Sequence, residues 1–175
     1  EAKTIWYKMQ YFVNIYWELI KDLVLTGKLI LPNKLNANPP QILSGKSVNG
    51  YLGYYTRSEH NIVMNSDVYN PKIFDEKIVS MSKLNIKESA LLFQTDPELV
   101  KYFASNISTT LIHEIGHAIQ GSDHIGSAHG RTNIKMKGGN FMEFDEMCLE
   151  IYKAAINLGL FSSYIRDIKN KNILF

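Results

Sequence analysis

From Thr4 to about Thr26 the apolar residues Ile5, Phe12, Ile15, Tyr16, Leu19 and Leu23 fall on one broad face of a helix, which Gly27 would close. The aromatic content of that face suits a core helix packed on a sheet. Leu31 to Pro40, rich in Asn and Pro, reads as a loop. Three short strands are then predicted: Gln41–Ser44, Tyr51–Thr56 and Asn61–Asn65. The polar Arg57-Ser58-Glu59-His60 turn makes the last two a hairpin. Ser66 to about Thr95 is less regular and is broken by Pro71, with short helices predicted at Glu76–Met81 and Lys87–Phe93. Asp96-Pro97-Glu98 reads as a helix start, with a cap, a proline at the first helical position and an acid in the first turn. Leu99, Val100, Phe103, Ile107, Leu111, Ile115, Ala118 and Ile119 then keep helical spacing as far as Gly121, a left-handed stop. The chain is loop-like from there to Asn140, the expected cap of a last helix running from Phe141 to about Leu158. Its stripe is Phe144, Cys148, Ile151, Ala155 and Leu158, and a mixed tail follows from Phe161 to Phe175.

No repeat, low-complexity tract or linker divides the chain. The expectation is one α+β domain over residues 1–175: N-terminal helix, small mainly antiparallel sheet, metal-binding helix, C-terminal helix. At 45% hydrophobic and 21% charged residues the composition is that of a globular chain. The apolar stretch Ile5–Leu25 is interrupted by Lys8, Glu18, Lys21 and Asp22, so no membrane span of ~20 residues is expected there. It also lacks the basic start and cleavage site of a signal peptide. A net charge of +2 is too small to argue nucleic-acid binding by itself. Cys148 is the only cysteine, which excludes an intrachain disulfide and a four-cysteine zinc site and fits an intracellular location.

The candidate chemistry lies in His113-Glu114-Ile115-Gly116-His117. Histidines four apart stand one turn apart on the same face of a helix, where both imidazoles can converge on one Zn²⁺. The glutamate after the first histidine stands close enough to take a proton from a bound water. This is the HExxH pattern of zinc peptidases, and its place near the end of an amphipathic helix is the setting a zincin-like fold requires. Gly116 inside that helix costs ~1 kcal/mol relative to Ala. Such a cost is tolerable where another backbone approaches closely, which the sequence does not show.

A catalytic zinc needs three protein ligands and an open position. His129, in Ser127-Ala128-His129-Gly130, ranks first for the third, because it follows a glycine-containing loop able to fold back on the helix. The carboxylates of Glu143-Phe144-Asp145-Glu146 come next, Glu143 ahead of Glu146, and then His124.

Thr109 to Ala118 followed by His129-Gly130 resembles the SprT-like (spartan-type) metallopeptidases, whose HExxH helix is followed by a variable loop and a His-Gly bearing the third ligand. The layout upstream is similar too: a long helix, Gly27-Lys28-Leu29-Ile30-Leu31-Pro32, Gln41-Ile42-Leu43, Gly50-Tyr51-Leu52-Gly53-Tyr54-Tyr55 and Asn61-Ile62-Val63-Met64-Asn65. The resemblance spans roughly Tyr11 to Gly130, and its specific part is HExxH plus His-Gly. It implies a zinc-dependent endopeptidase acting on a protein or peptide, with His113, His117 and His129 as metal ligands and Glu114 as general base. It also implies a nucleic-acid association. Arg131, Lys135 and Lys137, and Arg166, Lys169 and Lys171, are the basic clusters for such a role, although solvated loop charge also accounts for them. Arg131-Thr132-Asn133 stands where the family has an aromatic after His-Gly, and the loop before His129 lacks the tryptophan often found there. Two alternatives stay open. Glu143 to Glu146 on the last helix is similar to gluzincin-like peptidases, whose third ligand is a helix glutamate. The chain also reads as a zinc-containing structural or assembly protein, against which the presence of Glu114 argues. An extended substrate is expected to pair with the strand nearest the metal helix, taken as Asn61–Asn65.

Overall fold

The computed structural model describes residues 2–45, 51–66, 107–123 and 126–159. Helix α1, Ala2–Leu25, buries Met9, Phe12, Val13, Tyr16, Trp17, Ile20 and Leu23. Ile15 and Leu19, expected on the core face, flank that stripe and are only partly buried. Trp17 takes the centre because its Nε1–H finds the Asn36 carbonyl at 2.9 Å, so the whole indole can leave water. Gly27 closes the helix at φ 74°.

The strands β1 (Leu29–Ile30), β2 (Gln41–Gly45), β3 (Gly53–Thr56) and β4 (Asn61–Asn65) follow, and a late β5 (Lys135–Met136) returns to pair antiparallel with β1. The larger sheet runs β2-β4-β3. β3 and β4 form the expected hairpin. The other pairing departs from the mainly antiparallel expectation, because β2 lies parallel to β4, Gln41 opposite Asn61 through Gly45 opposite Asn65. The hairpin occupies one edge of β4 and leaves β2 the other. β4 is therefore central, paired on both edges, and cannot accept an added substrate strand as expected.

Gln10 of α1 ties down the outer side of β2. It accepts a hydrogen bond from the Ile42 amide at 2.7 Å and donates to the Pro40 carbonyl at 3.0 Å. His60, at φ 54° in the hairpin turn, is a second tie. Its Nε2 lies 2.7 Å from the Asn38 carbonyl, which only accepts, so Nε2 carries the proton and Nδ1 accepts from the Tyr55 hydroxyl at 2.7 Å. This histidine joins the 31–40 loop to the hairpin, with Trp17 packed edge-on against its ring.

Helix α2, Ile107–Gln120, contacts β3 and β4 as well as α1 and α3, and is buried along most of its length. Its expected start at Asp96, the short helices at Glu76–Met81 and Lys87–Phe93, His124 and the 161–175 tail lie outside the described residues. Helix α3 is Phe144–Asn157, three residues later than an Asn140 cap requires. The reason is backbone pairing. The Thr132 amide donates to Met142 O at 2.8 Å, the Met142 amide donates to Ile134 O at 3.0 Å, and Arg131 bridges Glu143. These bonds hold residues up to 143 extended, and the Glu143 carbonyl accepts the first helical bond, from Met147 at 2.8 Å. Tyr152 of α3 stacks on Tyr16 of α1 at 6.0 Å, joining the two helices in the core.

Candidate metal centre

α2 supplies His113, Glu114 and His117 from one turn. Gly121, at φ 70°, stops the helix, and its amide and that of Ser122 close the last turn on the Ala118 and His117 carbonyls. The chain then reaches a short 3-10 turn, Gly126–His129, that brings His129 back over α2. The three Nε2 atoms converge. His129 lies 3.1 Å from His113 and 3.1 Å from His117, and His117 lies 3.3 Å from His113. Tetrahedral coordination with metal–nitrogen bonds of 2.0–2.1 Å places its ligand atoms about 3.3–3.4 Å apart. The triangle thus has very nearly the size of one face of such a coordination sphere. The three histidines lie close enough to hold a metal ion.

The candidate carboxylates sit elsewhere. Glu143 and Glu146 are exposed, and Glu143 faces Arg131 at 3.6 Å. That ion pair is itself largely exposed and contributes little to stability. Among the described residues the one group of three or more candidate ligands close enough to hold a metal ion is His113, His117 and His129.

What α3 contributes is Phe144. Its ring stacks on His117 at 4.4 Å and lies edge-on to His113 at 4.9 Å and His129 at 5.3 Å. One apolar ring backs all three imidazoles. The Phe144 amide donates to the Gly130 carbonyl at 3.0 Å, so the residue after His129 and the first residue of α3 are pinned together.

Gly116 makes this approach feasible. A Cβ there would lie 2.6 Å from Cys148 Sγ and 2.9 Å from the Phe144 ring. Both helices would have to shift to admit it. The partly buried Cys148 thiol beside it is pushed well above its ordinary range, chiefly by desolvation, with the Asp145 and Glu114 charges adding to the effect. It serves as packing here rather than as a nucleophile.

Glu114 is 1% exposed and His117 fully buried. His117 Nδ1 lies 3.1 Å from Gln120 Oε1, and Gln120 Nε2 donates to the Ala128 carbonyl at 3.0 Å. Neither Gln120 nor Phe144, the latter read only as part of the apolar stripe of α3, is a site candidate in the sequence. For Gln120 a signal existed, since a polar side chain three residues after a ligand stands on the ligand's own face of the helix. For Phe144 there was none, because its place depends on how α3 docks.

No family model, no curated protein and no solved structure matches the chain.

Proposed function

We propose that the chain is a zinc-dependent peptidase that cleaves internal bonds of a protein or peptide substrate. The observation that carries this reading is the convergence of His113, His117 and His129 Nε2 at 3.1–3.3 Å, with Glu114 next to His113 on the same helix. Three neutral imidazoles suit Zn²⁺, and a three-histidine set leaves one tetrahedral position for water, as catalytic rather than structural sites do. The His-Gly after the HExxH helix, and the strands before it, favour a SprT-like peptidase over one with a helix glutamate as ligand. The orientation of Glu143 toward Arg131 points the same way.

When bound, Zn²⁺ supplies Lewis acidity toward a water and a peptide carbonyl. His113, His117 and His129 would hold it, and Phe144 backs their rings. The Glu114 carboxylate accepts the proton of the attacking water and passes it to the departing amine. β3 is one of the two outer strands of the larger sheet among the described residues, and it packs against α2. It, rather than β4, is the strand along which an extended substrate would lie. Two of the three basic residues after His129 have local partners, Arg131 on Glu143 and Lys135 over the Phe141 ring at 5.4 Å. Solvated loop charge therefore accounts for this cluster, which lends a nucleic-acid association no particular support. No described helix is long and apolar enough to cross a membrane.

The test is digestion of an unfolded protein mixture by the zinc-loaded chain, read by mass spectrometry, with a chelated sample and the Glu114→Gln variant alongside. New internal cleavages that vanish in both controls support the reading. A zinc-loaded chain giving the same fragments as its Glu114→Gln variant would exclude it.

A further inference from the structure

We infer that Gln120 is a positioning residue of the metal centre, setting the tautomer of one ligand and the backbone of another without touching the ion. The inference rests on reading His113, His117 and His129 as metal ligands.

The argument turns on which groups can only donate and which can only accept. The Ala128 carbonyl has no proton to give, so the Gln120 atom 3.0 Å from it is the amide nitrogen. That fixes the orientation of the side-chain amide and leaves its oxygen facing His117 Nδ1 at 3.1 Å. An amide oxygen only accepts, so Nδ1 carries the imidazole proton. The lone pair of His117 is then on Nε2, the atom that meets the other two histidines. Gln120 selects the metal-binding tautomer before any metal arrives.

The other end of the same amide holds Ala128, the residue before His129. The third nitrogen of the site comes from a 3-10 turn of four residues. So short an element has little rigidity of its own. Its described ties flank His129 on both sides: Gln120 to Ala128 from α2, and Gly130 to Phe144 from α3. Gln120 therefore converts the end of a rigid helix into a fixed position for a ligand on a loop. Its loss would remove the acceptor facing His117 Nδ1 and would loosen His129 on one side.

The test needs no peptide cleavage. Zinc affinity is measured by competition with a chromophoric chelator for the wild type, Gln120→Leu and Gln120→Glu. Long-range ¹H–¹⁵N correlation of the imidazoles in the metal-free protein reports the His117 tautomer. The wild type is expected to show His117 protonated on Nδ1. Gln120→Leu, close in volume and lacking both bonds, is expected to mix the tautomers and weaken zinc by about 10–100-fold. Gln120→Glu keeps the acceptor for Nδ1 and loses the donor to Ala128, so it should retain the Nδ1–H tautomer and bind zinc more tightly than the Leu variant. A wild-type His117 protonated on Nε2 overturns the inference, whether or not a variant folds. So does a Leu variant that binds zinc within about twofold of a zinc-binding wild type. A wild type that binds no zinc at all instead sinks the metal reading on which the inference stands.

Discussion

Each residue at the metal centre has a role that a single substitution can isolate. Glu114→Gln preserves shape and removes the proton acceptor. Zinc content should stay at the wild-type level while turnover falls by about 10²-fold or more. Metal analysis beside a peptide-cleavage assay separates the two effects. The ligand set is tested in the same way. His129 stands 3.1 Å from both helix histidines, so His129→Ala should lose zinc at micromolar concentration. Glu143→Ala should keep it, because that carboxylate faces Arg131 at the surface. Should Glu143→Ala alone lose zinc, the third ligand is misassigned.

Between elements, the α2–α3 contact decides how the site is backed. Replacing a mid-helix glycine by alanine ordinarily stabilises a helix by ~1 kcal/mol. At Gly116 packing reverses the sign, since the new methyl would lie 2.6 Å from Cys148 Sγ and 2.9 Å from the Phe144 ring. Overpacking of this kind costs about 1–3 kcal/mol, so Gly116→Ala should be destabilised on balance. Because Phe144 is one of the displaced groups, the variant should also bind zinc more weakly. Urea unfolding with and without zinc measures both effects, and a more stable variant would show that the helices are not in tight contact. Cys148 reports on the same contact. A partly buried thiol with a raised pKa should react more slowly with iodoacetamide in the folded protein than in urea.

Across the whole molecule a bound metal would tie α2 to the turn that carries His129. α2 and the Gly126–His129 turn meet at the three nitrogens, so an ion binding only the folded state stabilises that state by mass action. Zinc at about 100 times its dissociation constant adds ~2.7 kcal/mol, and chelation should lower the melting temperature accordingly. Alkaline pH acts on the core. The Tyr16 and Tyr152 hydroxyls and the Cys148 thiol all have folded pKa values raised, chiefly by burial. The folded state thus holds these protons more tightly than the unfolded chain. The stability involved is fully present below the unfolded values, near 9.0 for the thiol and 10.0 for the phenols, and is lost as pH rises beyond them. Melting temperature in the chelated protein should fall as pH rises above about 9, whereas a value at pH 11 equal to that at pH 9 would contradict the burial of these groups.

Local chemistry alone was enough to place much of this chain. The α1 helix and its Gly27 stop, the β3–β4 hairpin and the Gly121 end of α2 all follow from periodicity and backbone preference, which act within a few residues. The pairing of His113 with His117 is likewise one turn of helix and nothing more. Contacts between distant segments were beyond that reach. β2 takes the free edge of β4 because the hairpin already holds the other, and it runs parallel there. α3 begins at Phe144 rather than Phe141 because residues 131–134 pair with the extended backbone before it. His129 was one of several candidate ligands in the sequence. It meets the other two histidines only because Gly121 reverses the chain and because Gln120 and Phe144, from two different helices, hold the residues on either side of it. Spacing along one helix is set by covalent geometry, whereas the closing of a loop onto that helix depends on every surface it packs against.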